Sequence, residues 1–198
     1  MSGMVGSDPV NPSASRVKLT YDDFMLFPDD GKRHELIDGE HYVTPSPNIG
    51  HQEILGRLHL LIGNWLVEHP IGRVYFAPLD VVFSSFDVVE PDLLYMSNER
   101  AAEIITPMHV HGVPELVVEI GSKSTRRRDE TIKRRLYERT GVSEYWFVDP
   151  EVDIVRVYRR EGGGFSRATE LSREAGDVLT TSLLPGLDLA LSSIFSAR

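Results

Sequence analysis

The chain has no cysteine, which excludes disulfide staples and thiolate metal sites. It has no apolar run near the roughly 18 residues that suggest a bilayer span. The opening MSGMVGSDPVNPSASR lacks the basic flank and apolar stretch of a secretory signal. A cytoplasmic protein that does not engage membranes is therefore expected. Positive charge is scarce: 21 Lys and Arg face 30 Asp and Glu, a formal net charge of −9. Affinity for nucleic acid scales with the cations presented, so a chain coated in phosphate-binding residues is excluded. Ser122 and Ser124 lack the Gly-x-Ser-x-Gly setting of a hydrolase nucleophile, and the contiguous Gly162 to Gly164 do not have the spacing of a phosphate cradle.

What is present suffices for one substantial core, with 41% apolar residues in a chain of 198. Residues 1–16 read as a flexible leader, and 17–198 as a single domain. Thr20 with Asp23 three residues on predicts a short capped helix ending near Pro28. HELIDGEHYVT predicts a β-hairpin turning at Asp38-Gly39. From Ile49 to about His69, Ile54, Leu55, Leu58, Leu61, Ile62, Trp65 and Leu66 recur at three- and four-residue steps, the mark of a long amphipathic helix. GRVYFAPLDVVF, VVEPDLLYM and PELVVEI read as central strands, the last buried on both faces. A helix over Thr125 to Thr140, stopped by Gly141, then leads into the strand SEYWFVDP, which together make a crossover unit. IVRVYRREGGGFSRATEL reads as a hairpin, and the rest supplies a short strand and a final turn or helix. The fold class is α/β, a mixed sheet flanked by helices.

Within that frame, acids stand where strands end. Asp92 follows a proline inside an apolar run beside Val88, Val89, Leu93 and Leu94, and buried charge of that kind must be paired or bind a metal. Glu119 closes LVVEI just before a loop, where open α/β sheets form their ligand crevice. Glu35 lies in the hairpin. Between Lys123 and Arg139, eight Lys and Arg stand against three acids, so a positive stripe crosses an acidic body. Three carboxylates and a lysine are the inventory of a magnesium-dependent phosphodiesterase. His109 and His111 alternate as a zinc pair can, but no third ligand is apparent and a loop is the plainer reading.

The succession ELIDGE, SPNIGHQ, EPDLLY, PELVVEIGSKST and DETIKRRLYERTGVSEYWFVDP resembles the Uma2 family, grouped with the PD-(D/E)XK nucleases, over about Thr20 to Phe195. The resemblance implies a restriction endonuclease-like core with an N-terminal β-hairpin. It implies that Asp92 and Glu119 bind Mg²⁺ or Mn²⁺, with Glu35 as the additional acid; Glu53, on the helix turn of His51, is the reserve should Glu35 point away. Two residues after Glu119, where the superfamily places a catalytic lysine, this chain has Gly121. Lys133, in a pattern Asp129, Lys133, Tyr137, is the replacement, and Lys123 the competitor. His51 is a further site residue. Lys123, Arg126, Arg127 and Arg128 would hold flanking phosphates.

The expected function is metal-dependent hydrolysis of DNA, catalysed by Glu35, Asp92, Glu119 and Lys133. The alternative is a nuclease fold whose site has decayed, binding nucleic acid or protein. A homodimer is the expected assembly.

Overall fold

The computed structural model describes residues 17–195, so the leader expected over 1–16 lies outside the described residues. The chain opens with helix α1 (Tyr21–Phe24), whose Thr20 and Asp23 form the expected capping box. Strands β1 (Arg33–Ile37) and β2 (Glu40–Thr44) form the hairpin, with Ile37 opposite Glu40. Asp38 and Gly39 both adopt positive φ, 53° and 74°, as a tight two-residue turn of this hand requires. Helix α2 (Ile49–Glu68) starts at Asn48, whose side chain accepts from the His51 amide at 2.9 Å.

Strands β3 (Gly72–Phe76), β4 (Val81–Ser84), β5 (Asp87–Val89) and β6 (Leu93–Ser97) follow, then helix α3 (Asn98–Ile104), β7 (Val110–His111) and β8 (Leu116–Ile120). A helical stretch then runs through α4 (Arg126–Arg128), a π-helical turn at Asp129–Lys133 and α5 (Arg134–Thr140), ending at Gly141 with φ 99°. The remainder is β9 (Glu144–Asp149), β10 (Ile154–Glu161), β11 (Gly164–Phe165), β12 (Thr169–Ser172), β13 (Val178–Leu179), β14 (Leu189–Ala190) and α6 (Leu191–Ile194).

These strands build two principal sheets. One has the order β2-β1-β5-β4-β7; the other runs β11-β10-β9-β8-β6-β3, with β12 also on β10. Strands β8 and β9 are parallel, joined through the helical stretch, while β6 and β8 are antiparallel. This mixed α/β arrangement agrees with the expected fold class.

Two of the apolar runs expected as single strands are each divided between the sheets. GRVYFAPLDVVF gives β3 to one sheet and β4 to the other, and VVEPDLLYM gives β5 to one and β6 to the other. The breaks fall at Ala77–Pro78 and at Pro91–Asp92, where a proline cannot donate to a ladder. Helix α3 was not expected. Its signal is Ser97, which caps the Arg100 amide, followed by Ala101 and Ile104 at helical spacing.

Alternation along β8 sets the two faces of the larger sheet. Leu116, Val118 and Ile120 pack with Ile54, Leu58 and Ile62 of α2 in the larger core cluster. Val117 packs on the other side, with Leu136 and Tyr137 of α5 and Phe147 of β9. Because successive strand residues point to opposite faces, Glu119 points with Val117, toward the helical stretch that carries Lys133.

Candidate active site

Register brings the acids together. Leu93 of β6 pairs with Val118 of β8 in an antiparallel ladder, so the next residue on each side places Asp92 across from Glu119. Asp92 Oδ2 accepts from the Ile120 amide at 2.8 Å and lies 3.0 Å from His51 Nε2. Its Oδ1 takes Arg33 at 3.3 Å. Burial alone would raise the Asp92 carboxyl, but the His51 bond, the Arg33 charge and the Ile120 amide hold it below the usual carboxylate range. An ionised carboxylate only accepts, so His51 donates from Nε2.

Glu119 is held differently. Its Oε1 accepts from Lys133 Nζ at 2.9 Å and from the Tyr137 hydroxyl. Lys133 Nζ also lies 2.7 Å from Glu35 Oε1. One ammonium is thus shared between two buried carboxylates. Burial pulls the Lys133 ammonium down, but Glu119, Glu35 and Asp129 outweigh it and keep the lysine charged well above its ordinary range. Glu35 stays below the usual range despite burial, through Lys133, Arg128 and the Glu90 amide. Glu119, desolvated and facing Asp92, Asp129 and Glu35, is pushed up to about 8. Asp129 is likewise pushed up to about 6, by burial first. The cluster is short of positive charge, and Glu119 carries most of the deficit.

A cavity of about 590 Å³ opens over this group. Arg33, His51, Asp92, Glu119, Asp129 and Lys133 line it, with the loop from Gly121 to Thr125 at its rim. Glu35 does not line it. Its oxygens are taken by Thr44 at 3.0 Å, the Glu90 amide at 3.1 Å and Lys133, so it stands behind the lysine. Among the described residues, no three His, Asp or Glu side chains stand together as a metal cage. The oxygen donors that face one another are Asp92 and Glu119, and a hard cation that keeps waters and takes one or two carboxylates suits that pair.

The structure therefore brings together Glu35, His51, Asp92, Glu119 and Lys133. Glu53 points away, half-exposed, and pairs with Arg57 at 3.3 Å. The four basic residues expected on phosphates are divided. Lys123 and Arg127 are exposed, and Lys123 lines the cavity rim. Arg126 is engaged by Asp149 at 2.5 Å, and also by Glu130 and Glu151. Arg128 turns inward, 2.6 Å from Thr44 Oγ1 and 3.5 Å from Glu35, over the Tyr42 ring. Carboxylate partners thus occupy two of the three arginines. Arg33 was not among the expected residues. Nothing in a lone arginine before HELI marks it, because its partner Asp92 is 59 positions away.

The Uma2 family profile, described as "Putative restriction endonuclease", matches residues 21–192. The chain belongs to the Uma2 family. It is similar in fold to a crystal structure from Anabaena variabilis ATCC 29413 described as "a putative nuclease belonging to DUF820". The two are 20% identical, the match covers 89% of this chain and 97% of that one, and the TM-score is 0.76. No curated protein matches the chain.

For a Uma2 chain of this nuclease-like fold, Gly121 has a packing reason. A Cβ there would lie 2.6 Å from the Phe147 ring, so no side chain fits where the superfamily's lysine is expected. The ammonium beside Glu119 is that of Lys133, on the neighbouring helical stretch. The π-turn at Asp129–Lys133 keeps both Asp129 and Lys133 buried on the inner side, and such turns recur at functional sites.

Proposed function

We propose that this chain is an endonuclease that hydrolyses phosphodiester bonds of DNA with a divalent cation, Mg²⁺ or Mn²⁺. The observation that carries this reading is the placing of Asp92 and Glu119 across adjacent strands, beside the Lys133 ammonium, on one cavity. Asp92 and Glu119 would hold the cation; when bound, it supplies positive charge to the scissile phosphate and eases deprotonation of the attacking water.

The chain's own groups do the rest. Lys133 keeps its proton, so it serves as a fixed charge that offsets the negative charge growing on phosphorus, and not as a base. Glu35 holds Lys133 and Arg128 in place from behind. His51 and Arg33 fix the Asp92 carboxylate, which leaves it ionised and oriented. Lys123, exposed at the rim, and Arg127, exposed on the helical stretch that follows, contact the flanking phosphates. Gly121 does not argue for a decayed site, because Phe147 leaves no room there for any side chain.

The test is cleavage of supercoiled plasmid and single-stranded DNA in Mg²⁺, Mn²⁺ and EDTA. Cleavage that needs the metal and is lost in both Asp92→Asn and Glu119→Gln is expected. Cleavage in EDTA, or full activity in either variant, would overturn the reading.

A further inference from the structure

A second cavity, of about 380 Å³, lies beside the first and has no part in the chemistry above. Arg33, Pro47, His51 and Asp92 are walls of both, so a molecule with its phosphate in the first can place its next group in the second. Leu55, Ala77 and Pro78 give the second cavity apolar surface; Gln52 and Glu90 give it polar edges. Arg33 Nε, His51 Nδ1 and Glu90 Oε2, on three of the lining residues, are buried behind the cavity wall without a hydrogen-bond partner within the protein. The polar part of the lining offers both kinds of group: the Arg33 guanidinium and the Gln52 amide donate, and the Gln52 carbonyl and the Glu90 carboxyl accept. The volume falls within the roughly 300–1,000 Å³ of small-molecule sites. A nucleobase has two apolar faces and an edge of donors and acceptors, which matches this lining.

We propose that the second cavity is a nucleobase subsite: the base beside the phosphate held at Asp92 and Glu119 lies against Leu55 and Pro78, while Arg33, Gln52 and Glu90 bind its edge. This rests on the nuclease reading for the position of the phosphate. A base in such a cavity has left its stack, which is costly in a duplex and much less so in a single strand. Unpaired or single-stranded nucleic acid is therefore the preferred substrate.

The test follows the backbone amides of the ¹⁵N-labelled full-length protein in Mg²⁺. It is titrated with the four deoxynucleoside 5′-monophosphates, their ribose counterparts and ribose 5-phosphate. None of these has a phosphodiester to cut, so the readout is independent of cleavage. The amides of Gln52, Leu55, Ala77 and Glu90 should shift with nucleotides and not with the sugar phosphate. Stronger binding by one sugar series identifies DNA or RNA as the source of the base. Gln52→Ala, at an exposed position of α2, and the isosteric Glu90→Gln should each weaken nucleotide binding about tenfold. Equal shifts with ribose 5-phosphate, or still amides at millimolar nucleotide, would overturn the subsite. In a separate arm, oligonucleotides with abasic positions flanking the mapped cut are digested in Mn²⁺. Cleavage as fast as that of the intact strand would overturn the subsite and leave the nuclease reading intact. Amide shifts in a protein that cleaves nothing would keep the subsite and sink the nuclease reading.

Discussion

Asp87 and Glu119 are both buried carboxylates on strands, each bonded to a cation from the same helical stretch, yet they are in opposite electrostatic states. Asp87 takes both terminal nitrogens of Arg139, the Asp38 amide at 2.8 Å and Ser84 at 2.7 Å. Burial raises it, but those bonds outweigh burial and hold it below the usual range. Glu119 has half a lysine, a tyrosine and three neighbouring acids, and is pushed up to about 8. Asp87 is a closed joint that ties the hairpin turn to α5. Glu119 lines a cavity among more acids than cations, the arrangement on which the proposed cation site rests. On the proposed reading, the difference separates a carboxylate kept for structure from one kept for chemistry.

The largest expected effect falls on the chemical side. Asp92→Asn and Glu119→Gln should each lower metal-dependent cleavage by about 10³-fold, the upper range for removing a preorganised charge interaction, and neither should unfold the protein. Plasmid nicking rates beside circular dichroism melts check both halves. If either variant instead melts early and still cuts, its carboxylate belongs with Asp87.

Next, Asp87→Ala should cost about 2–3 kcal/mol, because it strips a buried hydrogen-bonded charge from Arg139 and the hairpin turn. For a domain of this size that is a fall in Tm of roughly 5–10 °C, read by thermal melting, with cleavage by the remaining folded protein unchanged.

The third prediction concerns pH. The folded-state value of Glu119, about 8, is above its ordinary 4.5. An acid shifted upward gives its full stability below the unfolded value and loses it as pH rises through the folded one. Glu90, pushed up to about 7 by burial first, and Asp129 act in the same direction. Stability in EDTA should therefore fall between about pH 4.5 and 8, and Mg²⁺ should restore part of it. In Glu119→Gln the fall should be smaller and the restoration absent. An identical pH profile in wild type and variant would place the deficit elsewhere.

Much of this contrast could be read in the chain beforehand, and the reasons are local. The Asp38-Gly39 turn, the apolar stripe of α2 and the dense apolarity of LVVEI each carry their signal within a few residues. Glu119 could be assigned to a strand end from LVVEIGS alone. The breaks at Ala77–Pro78 and Pro91–Asp92 were harder, because a proline in an apolar run does not say whether the chain bulges or crosses to another sheet. Arg33, and the position of Glu35 behind Lys133, depend on contacts across sheets that no periodicity encodes. The engagement of Arg126 and Arg128 was hidden for the same reason: Asp149 and Thr44, which hold them, lie far away in sequence.

The smallest expected effect separates the exposed cations from the engaged ones. Arg127→Ala should weaken DNA binding only a few-fold and lower the salt dependence by about one released ion. Arg126→Ala should leave the salt dependence as it is and disturb the Asp149 and Glu130 contacts instead. Filter binding across a salt series distinguishes the two.

The most direct measurement is calorimetric titration of the purified protein with Mn²⁺. The account predicts saturable binding that disappears in Asp92→Asn and in Glu119→Gln, and survives in Asp87→Asn. No heat at millimolar Mn²⁺, or binding unchanged when Asp92 or Glu119 is neutralised, would contradict it.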